Sequence, residues 1–356
     1  MVQFIQRMEN KAINEESNYI NFLRVLLIIG VVFTHSAIAV PLPHDYTNLT
    51  YNIVFFQQEV LGEFRVPIFF LLSGYFFYKR EGTQFCISDY HKKLKKRFHS
   101  LLLPYLLWST IALCLNLLYT TLLKGQSINF ADLLLSYIFY NGNIVYPFPI
   151  NGPLWYIRDL ILIIIITPIL FVLIRYFKIT FITFLVISFI FLPYWEMPLS
   201  LLYTGIVWFS VGAYISISSG NKNILYYTDK SHWLYFAYPL LVIINIFSRG
   251  MHLHEIFMQL TVTTGVFFYI KIFYIIYQKA HLNHIKLSTG GWVMFIYCAH
   301  FIVDYIKPVY GHLIQHVHLI LTHFCIAITT LVICTVSYFT LQKLFPGSLK
   351  YLIGDR

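Results

Sequence analysis

The stretch NFLRVLLIIGVVFTHS, residues 21–36, places a cation and an imidazole in an otherwise apolar run. Arg24 and His35 stand eleven residues apart. On an α-helix that is about three turns plus 20°, so the two groups share a face roughly 16 Å apart along the axis. A guanidinium is a fixed charge whose planar fork suits carboxylates and phosphates. An imidazole can take a proton near neutral pH. Ionisable groups recur in other apolar segments. QQEVLGEFRVPIFFLLSGYFFYKR contains Glu59, Glu63 and Arg65. Glu59 and Glu63 share a helix face, whereas Arg65 points nearly opposite to Glu63, so its partner must come from another helix, a backbone group or a substrate. NGPLWYIRDLIL supplies Trp155, Arg158 and Asp159. GGWVMFIYCAHFIVDYIK supplies Tyr297, His300 and Asp304 at spacings of 3 and 4, a polar stripe on one helix face.

Each group has a plainer reading. Arg24 could snorkel to headgroups, His35 could be a neutral core histidine, and Arg158 could anchor an interface beside Trp155. The Tyr297–His300–Asp304 stripe could hold helices together. Arg65, several residues into an apolar segment, is the hardest to dismiss, because charges within a bilayer are expensive and mark function by default. Converging His35, Arg65, Arg158, Asp159, His300 and Asp304 at one end, with Arg24 alone at the other, suits ligands arriving from opposite sides.

The elements that must position these groups are membrane spans. Of 356 residues 58% are hydrophobic and only 11% charged, with a mean hydropathy of +0.68. A soluble domain carries about twice that charge fraction. The expected fold is an all-α polytopic membrane protein with about ten spans: 20–40, 55–78, 99–121, 154–174, 179–195, 199–217, 232–248, 255–277, 290–308 and 317–343. Basic residues alternate between connecting segments. Segment 79–97 holds Lys79, Arg80, Lys92, Lys93, Lys95, Lys96 and Arg97, and Arg175, Lys178, Lys222, Lys230, Lys279 and Lys286 follow in the same class. The opposite segments hold Lys124, Arg249 and Lys307. This asymmetry predicts that both termini are cytoplasmic and that Arg24 lies toward the inner face. It also explains the +10 net charge without nucleic acid. The run Lys92–Arg97 could further steer an anionic cytoplasmic ligand. Ala37 and Ala39 mimic a signal-peptidase site, but the apolar run before them is long, and an uncleaved anchor is expected.

The five cysteines are odd in number, form no CxxC pair and mostly lie in apolar runs, so they read as buried hydrophobes. His252, His254 and Glu255, and His312 with His316, have metal-like spacing but no apolar cage or third ligand, so no metal is expected. No internal repeat or midplane helix break is evident, and residues 1–356 read as one transmembrane domain with no appended soluble domain.

The order and spacing of these segments resemble the acyltransferase 3 family. The resemblance rests on Arg24 and His35, FRVPIFFLLSGYFFYKR, the basic run leading into FHSLLLPYLLW, NGPLWYIRDL, WFSVGAYI and FIYCAH. It is nearest to the branch that O-acetylates surface polysaccharides and lipid-linked precursors, and it runs along essentially the whole chain. It implies activity-bearing roles for Arg24 and His35, a second-span signature in Arg65, Ser73 and Gly74, and later signature positions at Trp155, Tyr297 and His300. Some relatives carry an added hydrolase-like domain that finishes transfer outside. No such domain is expected here, which leaves open a separate extracytoplasmic partner.

The resemblance and the residues agree on chemistry. The expected protein is a multi-pass enzyme of the cytoplasmic membrane, with acyl-CoA, most simply acetyl-CoA, as donor substrate and no bound cofactor. The expected acceptor is a hydroxyl of a polysaccharide or polyprenol-linked glycan. Arg24 holds the donor, and His35 deprotonates the hydroxyl or, as a variant, carries the acyl group itself. Arg65 or Arg158 stabilises the oxyanion, and Asp159, Glu63 or Asp304 orients the imidazole. The competing expectation is a polysaccharide exporter or flippase, with the charges lining a pathway.

Overall fold

The computed structural model of the protein describes residues 2–36, 49–79, 87–124, 135–138, 148–192, 200–218, 231–282, 289–311 and 319–355. Helices build it throughout: α1 (Val2–His35), α2 (Leu49–Phe55), α3 (Arg65–Tyr78), α4 (Ile87–Arg97), α5 (Leu103–Lys124), α6 (Trp155–Ile165), α7 (Thr167–Phe191), α8 (Ser200–Ser218), α9 (Leu234–Phe247), α10 (His254–Lys279), α11 (Gly290–Ala299), α12 (Val303–Gly311), α13 (Leu319–Leu344) and α14 (Pro346–Ile353). Among the described residues, six stretches are long and apolar enough to cross a membrane: Glu15–His35, Ser88–Leu118, Thr167–Phe191, Ser200–Ser218, His254–Lys279 and Ile320–Leu344. Arg65–Tyr78 and Leu234–Phe247 are apolar but shorter. The protein is therefore an all-helical, multi-pass membrane protein.

Several expected spans are broken, each for a local reason. Residues 55–78 form a π-turn at Phe56–Val60 and a bend before α3. Pro67, in the first turn of α3, cannot continue a helix back through Glu63, because its ring would strike that carbonyl. Residues 79–97, expected as a loop, instead contain α4, which joins α5 through a π-turn at Phe98–Leu102. The expected spans 154–174 and 179–195 meet at Lys178, whose φ of 49° and ψ of −128° kink α7. A turn at Ile166, just before Pro168, separates α6 from α7. The span 290–308 was expected to be continuous, but a 3₁₀ turn at His300–Ile302 divides α11 from α12. There the Asn151 side-chain amide donates to the Cys298 carbonyl at 3.1 Å. That carbonyl would otherwise serve the helical ladder, and such an insertion interrupts a helix.

Close packing of α3 on α8 forms the centre. A Cβ on Gly74 would collide with the Phe209 carbonyl, and one on Gly212 with the Leu71 carbonyl. Small residues let helix backbones approach within a bilayer, where lipid supplies no hydrophobic drive between helices. Trp208, Phe209, Phe70 and Tyr78 fill the surrounding core. Helix α1 packs against α3, α10, α11 and α13. The buried carboxylate of Glu16 accepts from Tyr75 Oη at 2.7 Å and pairs with Lys79. Tyr19 Oη donates to the Ile270 carbonyl. These ties fix the helix that carries Arg24 and His35.

Candidate active site

Two neighbouring cavities flank α1. The first, about 230 Å³, is lined by Arg24, Ser73, Phe76, Arg97, Tyr156 and Tyr297 among others. Two guanidiniums thus face one space, and among the described residues no carboxylate forms an ion pair with either. The Arg24 guanidinium lies over the Phe76 ring, 5.5 Å from its centroid. Ser73 Oγ and Tyr156 Oη hydrogen bond at 2.9 Å. Tyr297 donates to the Pro153 carbonyl. The chamber sets two cations and hydroxyl groups beside the apolar side chains of Leu72, Leu101 and Leu160.

The second cavity, about 340 Å³, is lined by Thr34, His35, Glu63, Arg65, Trp155 and Gln259 among others. Arg65 opens α3, so its charge sits at a helix N-terminus, where an anion is the favoured guest. Its guanidinium donates to Thr34 Oγ1 on α1 and lies against Gly30, which has no side chain to displace it. Thr34 Oγ1 in turn donates to the Gly30 carbonyl at 3.2 Å. The partner that the sequence leaves open for Arg65 is therefore on another helix.

Consecutive residues serve the two cavities: Trp155 lines the second and Tyr156 the first. A row of rings runs on from Tyr156. Tyr156 and Tyr297 are 5.8 Å apart, Tyr297 and His300 6.0 Å, and His300 and His35 5.1 Å between centroids. His300 is fully buried. Its Nδ1 is 3.1 Å from the Ile296 carbonyl, which makes Nδ1–H the donor there. Its Nε2 has no partner among the described residues.

The expected site residues divide accordingly. Arg24, Ser73 and Tyr297 share the first cavity, and His35, Arg65 and Trp155 the second, with His300 beside His35. Arg158 and Asp159 line neither. They pair with each other at 2.8 Å, and Arg158 also donates to the Ile138 carbonyl at 2.9 Å. Asp304 is exposed and pairs with Lys307 at 3.2 Å, and it lines neither cavity. The Glu59 side chain, His312 and His316 lie outside the described residues.

Sequence reasoning missed Arg97 as a lining residue, Tyr156, Gln259 and His323. His323 is buried, with Nδ1 3.0 Å from Ser36 Oγ and Nε2 2.7 Å from Gln57 Oε1. Gln58 Nε2 also donates to the Thr34 carbonyl at 3.1 Å. These bonds pin the end of α1 and with it His35. An ionisable residue inside an apolar run, LILTHFCIAI, is the signal that could have revealed His323.

Fold and site together define a membrane protein with an arginine-lined chamber and a histidine-bearing chamber set along one helix. The family model of the acyltransferase domain, acyltransferase 3, matches residues 17–339, and the chain belongs to that family. The chain is also 31% identical over 223 residues to the succinoglycan biosynthesis protein ExoH of Rhizobium meliloti (strain 1021). That match covers 58% of this chain and 55% of the relative, so the chain spans about half the length of the curated relative it matches. No solved structure matches the chain.

Proposed function

We propose that the protein is a membrane O-acyltransferase that moves an acyl group, most simply acetyl, from cytoplasmic acyl-CoA to a hydroxyl of a surface polysaccharide or lipid-linked glycan. The observation that carries this reading is the juxtaposition of two arginines in one cavity, without an ion-paired carboxylate among the described residues, with His35 in the next. Coenzyme A is a multiply phosphorylated thiol on a long arm. Arg24 and Arg97 meet its phosphates, and the arm carries the thioester past Tyr156 toward Trp155 and His35. The acceptor hydroxyl enters the second cavity. His35 takes its proton as the oxygen attacks the thioester carbonyl. Arg65, at the N-terminus of α3, faces the charge that develops on that carbonyl oxygen. The tetrahedral adduct collapses by breaking the carbon–sulfur bond, and the departing thiolate receives the proton from His35. An ester and free coenzyme A result. In the relay variant His35 first carries the acyl group and passes it to the hydroxyl in a second step.

Support comes from the family and from the relative, whose name places it in succinoglycan biosynthesis. The setting proposed is the cytoplasmic membrane, with ten spans and both termini inside, so that the Arg24 cavity opens toward the donor. Delivery to the final acceptor is proposed to occur directly or through a separate extracytoplasmic partner. The test is purified protein in detergent, given acetyl-CoA and the producing cell's surface polysaccharide after alkaline removal of its esters. Polysaccharide-dependent release of free thiol, with new ester on the polysaccharide, is the expected result. Polysaccharide movement across vesicles without any thiol release would replace this reading with the exporter.

A further inference from the structure

Gln259, on α10, is a buried carboxamide in the wall of the His35 cavity, only 4% exposed. Its Oε1 has no hydrogen-bond partner among the described residues. A buried amide oxygen without a partner is unfavourable and calls for an explanation. Neither fold nor packing supplies one. Gln259 occupies the second turn of α10, where the helix's own backbone groups are satisfied internally, and its neighbours Val262 and Met258 contribute only apolar surface to the cavity.

The rest of the lining is what a sugar needs. Trp155 offers a flat apolar face, while Thr34, Ser200 and Thr204 add hydroxyls to the same cavity. A carboxamide both accepts and donates. So does each hydroxyl of a sugar, and two adjacent hydroxyls match its two ends. We propose that Gln259 is the residue that reads the acceptor: its carboxamide hydrogen-bonds a ring hydroxyl next to the one that meets His35. It thereby selects which hydroxyl becomes the ester. This rests on the second cavity being the acceptor's chamber, and it adds a specificity determinant that the acyl-transfer chemistry itself does not require. A site built to pair a hydroxyl discriminates strongly against a ring that cannot supply one there.

The probe is a fluorescently end-labelled oligosaccharide prepared by partial hydrolysis of the producing cell's de-esterified polysaccharide. Its binding to the purified full chain is followed by anisotropy for wild type, Gln259→Leu and Gln259→Glu. Gln259→Leu keeps the volume and removes both hydrogen-bonding ends, and it is expected to weaken binding about tenfold, the scale of one lost hydrogen bond with its partner left unpaired. Gln259→Glu keeps the accepting oxygens and is expected to lose about threefold. In the transfer assay, ester made by Gln259→Leu should spread over more than one ring position in the NMR spectrum of the product. A general loss of structure would lower the yield without moving the ester. If the leucine variant is not monodisperse in detergent, the glutamate variant decides the matter alone. Wild-type affinity and an unmoved ester in the folded variants would overturn the inference, as would failure of the wild type to bind the probe. Weakened binding in a protein whose wild type transfers no acyl group would leave the sugar subsite standing and remove the acyltransferase reading.

Discussion

Replacing Gly30 with alanine should remove activity without harming the fold. The Cβ of an alanine at this position would lie 2.8 Å from Arg65 Cζ and closer still to Nε. Ordinary contact for a Cβ begins at 3.4 Å, so Cζ must retreat by about 0.6 Å and Nε by more. The obstructing atoms are the far end of a flexible side chain, so the helices need not move. The guanidinium, however, leaves its bond to Thr34 Oγ1 and its place in the His35 cavity. A displacement near 1 Å in a group that stabilises developing charge lowers turnover on the order of 100-fold, or about 2.7 kcal/mol in the barrier. The helix itself should gain slightly, since alanine is favoured over glycine in a helix interior by about 0.5–1 kcal/mol. The assay is polysaccharide-dependent thiol release, measured beside thermal unfolding in detergent. Arg65→Ala supplies the control. If Gly30 acts only through Arg65, Gly30→Ala should add nothing in the Arg65→Ala background, a complete failure of additivity. Full activity in Gly30→Ala, or additive losses in the double variant, would refute the reasoning.

Further tests reach the other parts of the site. His35→Gln retains hydrogen bonding but cannot accept the proton, so transfer should fall by at least about 100-fold while donor binding persists. On the proposed mechanism the base is the neutral imidazole, so wild-type turnover should decline on the acid side as the imidazolium forms, and an unchanged rate at low pH would count against a general base. Arg24→Ala should weaken acyl-CoA binding in equilibrium dialysis and Arg24→Lys should restore it only in part, because a point charge replaces a planar fork; unchanged donor affinity would return Arg24 to a headgroup anchor. Gly74→Ala should destabilise the α3–α8 pair by about 1–3 kcal/mol, read as earlier unfolding in detergent, since the added methyl meets backbone that cannot rotate away. Single cysteines placed in 42–50 or 141–150 should react with an impermeant reagent on intact cells and those in 82–91 should not, and the reverse pattern would invert the proposed orientation.

What could be read from the chain beforehand was what depends on neighbours along it. The apolar runs show where helices lie, and the eleven-residue interval puts Arg24 and His35 at separate depths on α1. Contacts made across the fold leave weaker traces. Arg158 and Asp159 look like site residues because they are charges in an apolar segment, yet the pair neutralises itself and the Ile138 carbonyl takes a further donor from Arg158. Adjacent residues on a helix diverge by about 100°, so periodicity gives no hint that this Nε would fold back on its neighbour. The break at His300 is hidden for a related reason. No proline or glycine marks it, and the side chain that claims the Cys298 carbonyl belongs to Asn151, far away in sequence. That distant bond has a local consequence for the site. An uninterrupted helix from Gly290 would carry His300 on with the regular turn, whereas the 3₁₀ turn re-aims the chain at the residue whose ring lies 5.1 Å from His35. Asn151 immediately precedes the short turn leading into Trp155 and Tyr156, the two residues that line one cavity each. One side-chain amide thus ties the walls of the two cavities to the placement of the second imidazole, and a change at Asn151 should disturb both together.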